Sequence, residues 1–242
     1  MVVSKGALLR WLENRYLQRF FHGSGMEIGA LWRRFPLPRN ARVWYVDRLG
    51  RDALAGHYPN LQSSILPPDL LADATQLPVR PNSLDFLIAS HVIEHLPFPL
   101  MALRSWYEAL APGGVLLLKV PDKRYTFDVH RQRTPLAHLV DEHRAPERFD
   151  VRAHYADWVA GGGHAPSTAG FEQAVQGLMD QEYSIHFHVW IDEDVRDIIN
   201  FTQQSLQMDW APVVFWGAHF YRKETIVLLR KSLPIMKYAS GG

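Results

Sequence analysis

Residues 25–35 read GMEIGALWRRF. A short apolar run carries one acid, Glu27, and ends on a glycine, Gly29. This pattern predicts a β-strand that opens onto a tight turn, the usual entry to a ligand pocket in an open α/β sheet. A turn that cradles a pyrophosphate needs several glycines, because backbone N–H groups must approach the phosphates along its whole length. Here Ala30, Leu31 and Trp32 follow the single glycine. The turn therefore suits a ligand without phosphates, with Trp32 as a wall.

Outward from this stretch, strands and helices alternate. Met26–Gly29 and Arg42–Asp47 (RVWYVD) read as strands, the second rich in β-branched and aromatic residues. A helix is expected over about 50–57. Leu84–Ser90 (LDFLIAS) is almost continuously apolar, as a strand buried on both faces requires. Phe98–Leu110 reads as an amphipathic helix stopped by Pro112-Gly113-Gly114, and Val115–Val120 as another buried strand. Asp194–Gln204 looks helical, and Val213–Phe220 and Thr225–Arg230 form a terminal antiparallel hairpin across a Tyr221–Glu224 turn. The order implies a doubly wound, mainly parallel sheet with helices on both faces and an antiparallel edge.

The 242 residues suffice for a single domain over 1–242 with a sizeable core. Hydrophobic residues are 47%, charged residues 21%, and the net charge is +1, which gives no strong field to recruit nucleic acid. The chain has no cysteine, so disulfides and thiolate chemistry are excluded. The first 22 residues contain no long uncharged apolar run, so neither a signal peptide nor a membrane span is expected and the cytoplasm is the predicted location. Leu8, Leu9, Leu12, Tyr16 and Phe20 lie on one face of a helix predicted to pack on the domain.

Between Asp122 and Trp190 the alternation stops. This segment holds seven of the twelve histidines and a Gly161-Gly162-Gly163 loop. It leaves from the carboxyl end of a strand, where ligands bind in such sheets, so it is predicted to roof the site.

S-adenosylmethionine carries a ribose, an adenine and a charged amino acid but no phosphate, and it suits a one-glycine turn. Asp47, at the end of the next strand and twenty residues after Glu27, can accept both ribose hydroxyls. Asp73 can accept from the adenine amino group, or serve the turn it precedes. Ser90 and His91 border the methionine half.

GMEIGA, WYVDR, ADATQLPVRPNSLDFLIASHVIEHL and ALAPGGVLLLKVP, taken in order, resemble the successive motifs of class I S-adenosylmethionine-dependent methyltransferases. The resemblance covers about residues 25–121. It implies a Rossmann-like seven-stranded sheet and a cofactor site formed by Glu27, Gly29, Ala30, Asp47, Arg48, Asp73, Ala74, Ser90 and His91. PDKRYTFD (121–128) and IHFHVW (185–190) resemble a bacterial subgroup of methyltransferases often found with carbohydrate-assembly genes. The expected reaction is methyl transfer to a small polar acceptor, a hydroxyl of a sugar or glycan-related metabolite. RNA or protein methylation, and a non-catalytic binding protein on the same fold, are the alternatives.

A hydroxyl acceptor needs a base. Thr134-Pro135 is expected to open a helix on which His138 and Asp141 share a face. His154, beside Tyr155 and Trp158, is the preferred base. His186 and His188 alternate on a predicted strand, so one of them faces the site. Lys123, Arg124, Arg131 and Arg133 form a basic group suited to a phosphate or carboxylate on the acceptor. His91, Glu94 and His95 have a spacing that places them on one helical face, as divalent-ion ligands require; the reading nevertheless assigns no metal.

Overall fold

A computed structural model describes residues 4–162 and 169–234. Gly163, the last residue of the predicted glycine loop, lies outside the described residues. A seven-stranded sheet forms the centre: β1 (Gly23–Ile28), β2 (Ala41–Asp47), β3 (Leu70–Leu71), β4 (Leu84–Ser90), β5 (Leu110–Pro121), β6 (Trp210–Trp216) and β7 (Glu224–Lys231). Their spatial order is β3-β2-β1-β4-β5-β7-β6. The first five run parallel; β7 pairs antiparallel with both β5 and β6. The strand order reverses between β1 and β4, so a crevice opens there beyond their carboxyl ends.

The helices are α1 (Lys5–Leu17), α2 (Arg51–His57), α3 (Pro99–Ala109), α4 (Leu136–Arg144), α5 (Val151–Gly161), α6 (Ala169–Asp180) and α7 (Asp192–Gln204). On one face of the sheet Met26, Leu87 and Leu116 pack with Trp106 of α3 and Ile198 of α7. On the other, Phe86, Ile88 and Leu117 pack with Leu17 of α1 and with Phe21. Phe86, Leu87 and Ile88 are fully buried, as a strand covered on both faces demands. Tyr155 and Val159 of α5, Phe171 and Val175 of α6, and Ile185 form a separate core inside the inserted segment.

Four expectations are corrected. The buried edge of α1 is Glu13 and Leu17; Leu8, Trp11, Leu12 and Tyr16 are exposed. Glu13 turns inward because Arg222 pairs with it. The last hairpin is shifted: β6 begins at Trp210 and stops at Trp216, with a register irregularity between Pro212 and Val214. As an edge strand β6 tolerates a proline that an inner strand would reject. Thr134 does not cap α4, whose N-cap is Pro135. Its hydroxyl accepts instead from the Val189 N–H at 3.1 Å, tying the start of α4 to the 185–190 segment. That segment is not a regular strand; within it only Trp190 makes an isolated bridge, to Asp122.

Candidate active site

β1 ends in the turn that its sequence demands. Gly29 has φ +64°, and a Cβ there would meet the Val92 side chain at 2.8 Å. The Arg33 N–H donates to the Ala30 carbonyl at 2.8 Å and closes the turn. Glu27 is 1% exposed. Its two oxygens accept the Phe35 N–H at 2.9 and 3.0 Å, so it braces the far side of the turn and takes no bond from Arg33. Burial pushes its carboxyl up to about 7 against that hydrogen bond.

Beyond the strand ends lies a cavity of about 890 Å³. Glu27, Gly29 and Ala30 line it from β1, and Asp47 and Arg48 from β2. Asp73 and Ala74 follow β3, and Ser90 and His91 close β4. All nine residues of the predicted cofactor site thus meet on one wall. Burial raises the Asp47 carboxyl above its ordinary range. Asp73 Oδ1 accepts from both the N–H and the hydroxyl of Thr75 at 2.7 Å, so the turn occupies that oxygen. Three carboxylates stand on this wall with Arg48 among them. They suit hydroxyls, amino groups and a sulfonium, so the cavity fits S-adenosylmethionine on its own chemistry.

The inserted segment does cover the cavity. Tyr155, Glu182, Tyr183, Ser184 and Phe187 line it from that side. The Tyr155 hydroxyl donates to the Tyr183 carbonyl at 2.9 Å, and Arg48 reaches across to the Glu182 carbonyl at 3.3 Å.

The predicted bases lie elsewhere. Neither His138, Asp141, His154 nor His186 lines the cavity. His138 pairs with Glu142 one turn on, at 2.9 Å, because i,i+4 spacing and a longer side chain bring that carboxylate closer than the exposed Asp141. His154 faces the same Glu142 at 2.7 Å. His186 Nδ1 contacts Asp128 at 2.7 Å, and His188 contacts Glu142 at 3.0 Å, so both are buried on opposite partners. Burial alone would raise the Asp128 carboxyl; hydrogen bonds from His186 and Arg131 outweigh it and hold the group low. The basic run is likewise committed. Arg124 pairs with Asp122 and Asp192, Arg131 with Asp128 and Asp157, and Arg133 with Asp194. Lys123 donates to the Val129 carbonyl.

His91, Glu94 and His95 do not share a helical face, since only Ile93–His95 forms a short 3₁₀ turn. His91 has φ 56°, a left-handed backbone uncommon for a residue with a Cβ. Its Nε2 contacts Glu224 at 2.6 Å, while its Nδ1 stays 3.9 Å from Glu94. Lys119 Nζ lies 3.4 Å from the other Glu224 oxygen. Burial lowers the His91 pKa, but the Glu224 hydrogen bond and the charges of Glu94 and Glu224 outweigh burial and Lys119, so the net shift is upward. Glu224 and Lys119 both line the cavity and escaped the sequence reading. The one signal was a lysine inside the apolar run LLLKVP, where a charge needs a partner.

Buried beside this pair, Glu94 has neither oxygen hydrogen-bonded among the described residues. His95 and His186 face it, and Glu94, His95 and His186 are close enough to hold a cation. Burial drives His95 down to about 3, with the His186 charge adding to the effect. The histidines gathered around Glu142 form a second such group.

The chain belongs to the methyltransferase domain family, whose model matches residues 6–163. It is an S-adenosylmethionine-dependent methyltransferase. A Rhodobacter sphaeroides structure described as a putative zinc-dependent alcohol dehydrogenase is 17% identical, with a TM-score of 0.55 over 91% of this chain and 89% of that one; the likeness is one of fold. The N-methyltransferase NodS of Bradyrhizobium japonicum, solved with S-adenosyl-L-homocysteine, is 14% identical with a TM-score of 0.49 over 94% of this chain and 88% of that one. No curated protein matches the sequence. No helix among the described residues is long and apolar enough to cross a membrane.

Proposed function

We propose that the enzyme methylates a hydroxyl group of a small polar acceptor, a sugar or glycan-related metabolite. The observation that carries this reading is the His91–Glu224 pair on the cavity wall. A neutral amine needs no base for methyl transfer, whereas a hydroxyl does. The bound cofactor supplies the methyl group, already activated as a sulfonium. The chain's own task is alignment, exclusion of water and removal of one proton. His91 takes the acceptor's proton, and Glu224 orients the ring and stabilises the imidazolium. Lys223, which also lines the cavity, favours an acceptor carrying a carboxylate or phosphate.

In this reading Asp47 holds the ribose, Asp73 the adenine through its remaining oxygen, and Glu27 the ammonium of the methionine half. The turn at Gly29 and Ala30, and the wall of Arg48, Ala74 and Ser90, complete the enclosure. The test is transfer of a labelled methyl group to a panel of hydroxylated and aminated small molecules. Products heavier by one methylene at oxygen support the reading; products only at nitrogen overturn it.

Glu27 gives a prediction with opposite signs for stability and binding. Its folded pKa, about 7, lies above its ordinary value of 4.5. Between those values the folded chain keeps a proton that the unfolded chain has released. The stability from this group is therefore full below about 4.5 and is lost as pH rises to about 7. Glu27→Gln should thus raise stability above that window by on the order of 2 kcal/mol. The same change should weaken cofactor binding, and wild-type affinity should rise with pH through the window as the carboxylate forms. Denaturant titrations and calorimetry across pH check both signs; a variant that binds the cofactor as tightly as wild type removes Glu27 from the ammonium site.

A further inference from the structure

His138 and Glu142 stand one turn apart on α4, His154 on α5, and His188 in the segment that closes the roof. Their ligand atoms all lie within 4.8 Å of one another. Glu142 Oε1 faces Nε2 of His138 at 2.9 Å and Nε2 of His154 at 2.7 Å; Oε2 faces Nε2 of His188 at 3.0 Å. Glu142, His154 and His188 are buried, and His138 closes the group from the half-exposed side.

The hydrogen-bond inventory of His154 points to a ligand. Its Nδ1 faces the Phe187 carbonyl at 3.1 Å, which can only accept. Its Nε2 faces a carboxylate, which also accepts when ionised. A neutral imidazole has one N–H and two such neighbours, so one contact has no proton to share unless the ring is charged; Glu142 faces three such rings and its single charge balances only one imidazolium. A cation between Nε2 and Glu142 resolves this. The single proton then sits on Nδ1 and donates to Phe187, the outer bond that metal-ligating histidines ordinarily make.

We propose that His138, Glu142, His154 and His188 bind one Zn²⁺. Three imidazoles and a carboxylate are zinc-type donors, and four protein ligands complete a tetrahedron with no position left open. The site is therefore structural. It joins two helices to the 185–190 segment, none of which is tied to the other by the sheet. His154 adjoins Tyr155 and His188 adjoins Phe187, and both neighbours line the cavity. The ion fixes the roof without entering the chemistry. This revises the metal-free reading of the sequence and does not depend on the identity of the acceptor. The i,i+4 pair His138 and Glu142 was visible in the sequence; its convergence with His154 and His188 was not.

The experiment uses full-length protein dialysed against a chelator and then titrated with Zn²⁺. One equivalent per chain should bind with a dissociation constant below about 1 μM. His138→Asn and Glu142→Gln should each weaken binding at least about 100-fold. Folding of the variants is checked by circular dichroism. Co²⁺ titration of the wild type gives a reading independent of any variant: a tetrahedral site yields intense visible bands that Zn²⁺ abolishes. Stoichiometric binding lost in both variants, with those bands, supports the site. Absence of binding by the wild type overturns it and leaves a carboxylate clasped by three histidines. Binding that survives both variants but is lost in Glu94→Gln overturns it equally, by placing the ion at Glu94, His95 and His186.

Discussion

His91→Ala should lower the rate of methyl transfer by about 10²–10⁴-fold while leaving S-adenosylhomocysteine affinity nearly intact. The imidazole stands at the end of β4, on the cavity wall, held by Glu224 at 2.6 Å. Its left-handed backbone, costly for a residue with a Cβ, is the kind of strain that a site retains for geometry. The pH profile distinguishes a base from a packing residue. A base must be neutral before it takes a proton, and the His91 pKa lies above the ordinary histidine value. The wild-type rate should therefore rise with pH through that raised pKa and fall away below it. Glu224→Gln removes the neighbour that raises the pKa, so the rising limb should move to lower pH. A merely structural His91 would lose activity without moving the limb. If His91→Ala turns over at the wild-type rate on the enzyme's own acceptor, alignment alone carries the reaction.

Asp47→Ala should weaken cofactor binding by at least about tenfold. Charged hydrogen bonds contribute roughly 1.5–3 kcal/mol each, and a tenfold change in affinity corresponds to about 1.4 kcal/mol. Asp47 ends β2 on the cavity wall, and burial already raises its carboxyl. Two ribose hydroxyls supply the donors that offset that burial. Calorimetry with S-adenosylhomocysteine measures the loss, and an unchanged dissociation constant removes Asp47 from the ribose site.

The sheet was legible because its signals are local. LDFLIAS is apolar on both faces and RVWYVD ends on its acid, so β2 and β4 were placed to within a residue. β3 has only two residues, too few for any periodicity to show. β6 was misplaced because an edge strand need not exclude Pro212 or bury every second side chain. The face of α1 was misread because one ion pair, Glu13 with Arg222, draws the helix round against its apolar stripe.

The candidate site divides in the same way. The cofactor wall was legible because each residue follows its own strand end, and the parallel order brings those ends together. His91 and Glu224 lie 133 residues apart and meet only because β7 runs antiparallel against β5. No local pattern reveals that register. The roof histidines were noticed for their number, but helix packing turned His138 and His154 onto Glu142 and away from the cavity.

We infer that S-adenosylmethionine sits on the carboxyl ends of β1, β2 and β4, against the carboxylates of Glu27 and Asp47. A crystal structure of the complex with S-adenosylhomocysteine tests it most directly. The ribose hydroxyls are expected on Asp47, the ammonium at Glu27 and the sulfur directed toward His91. A cofactor bound outside this cavity, or one that leaves Asp47 and Glu27 without contact, would contradict it.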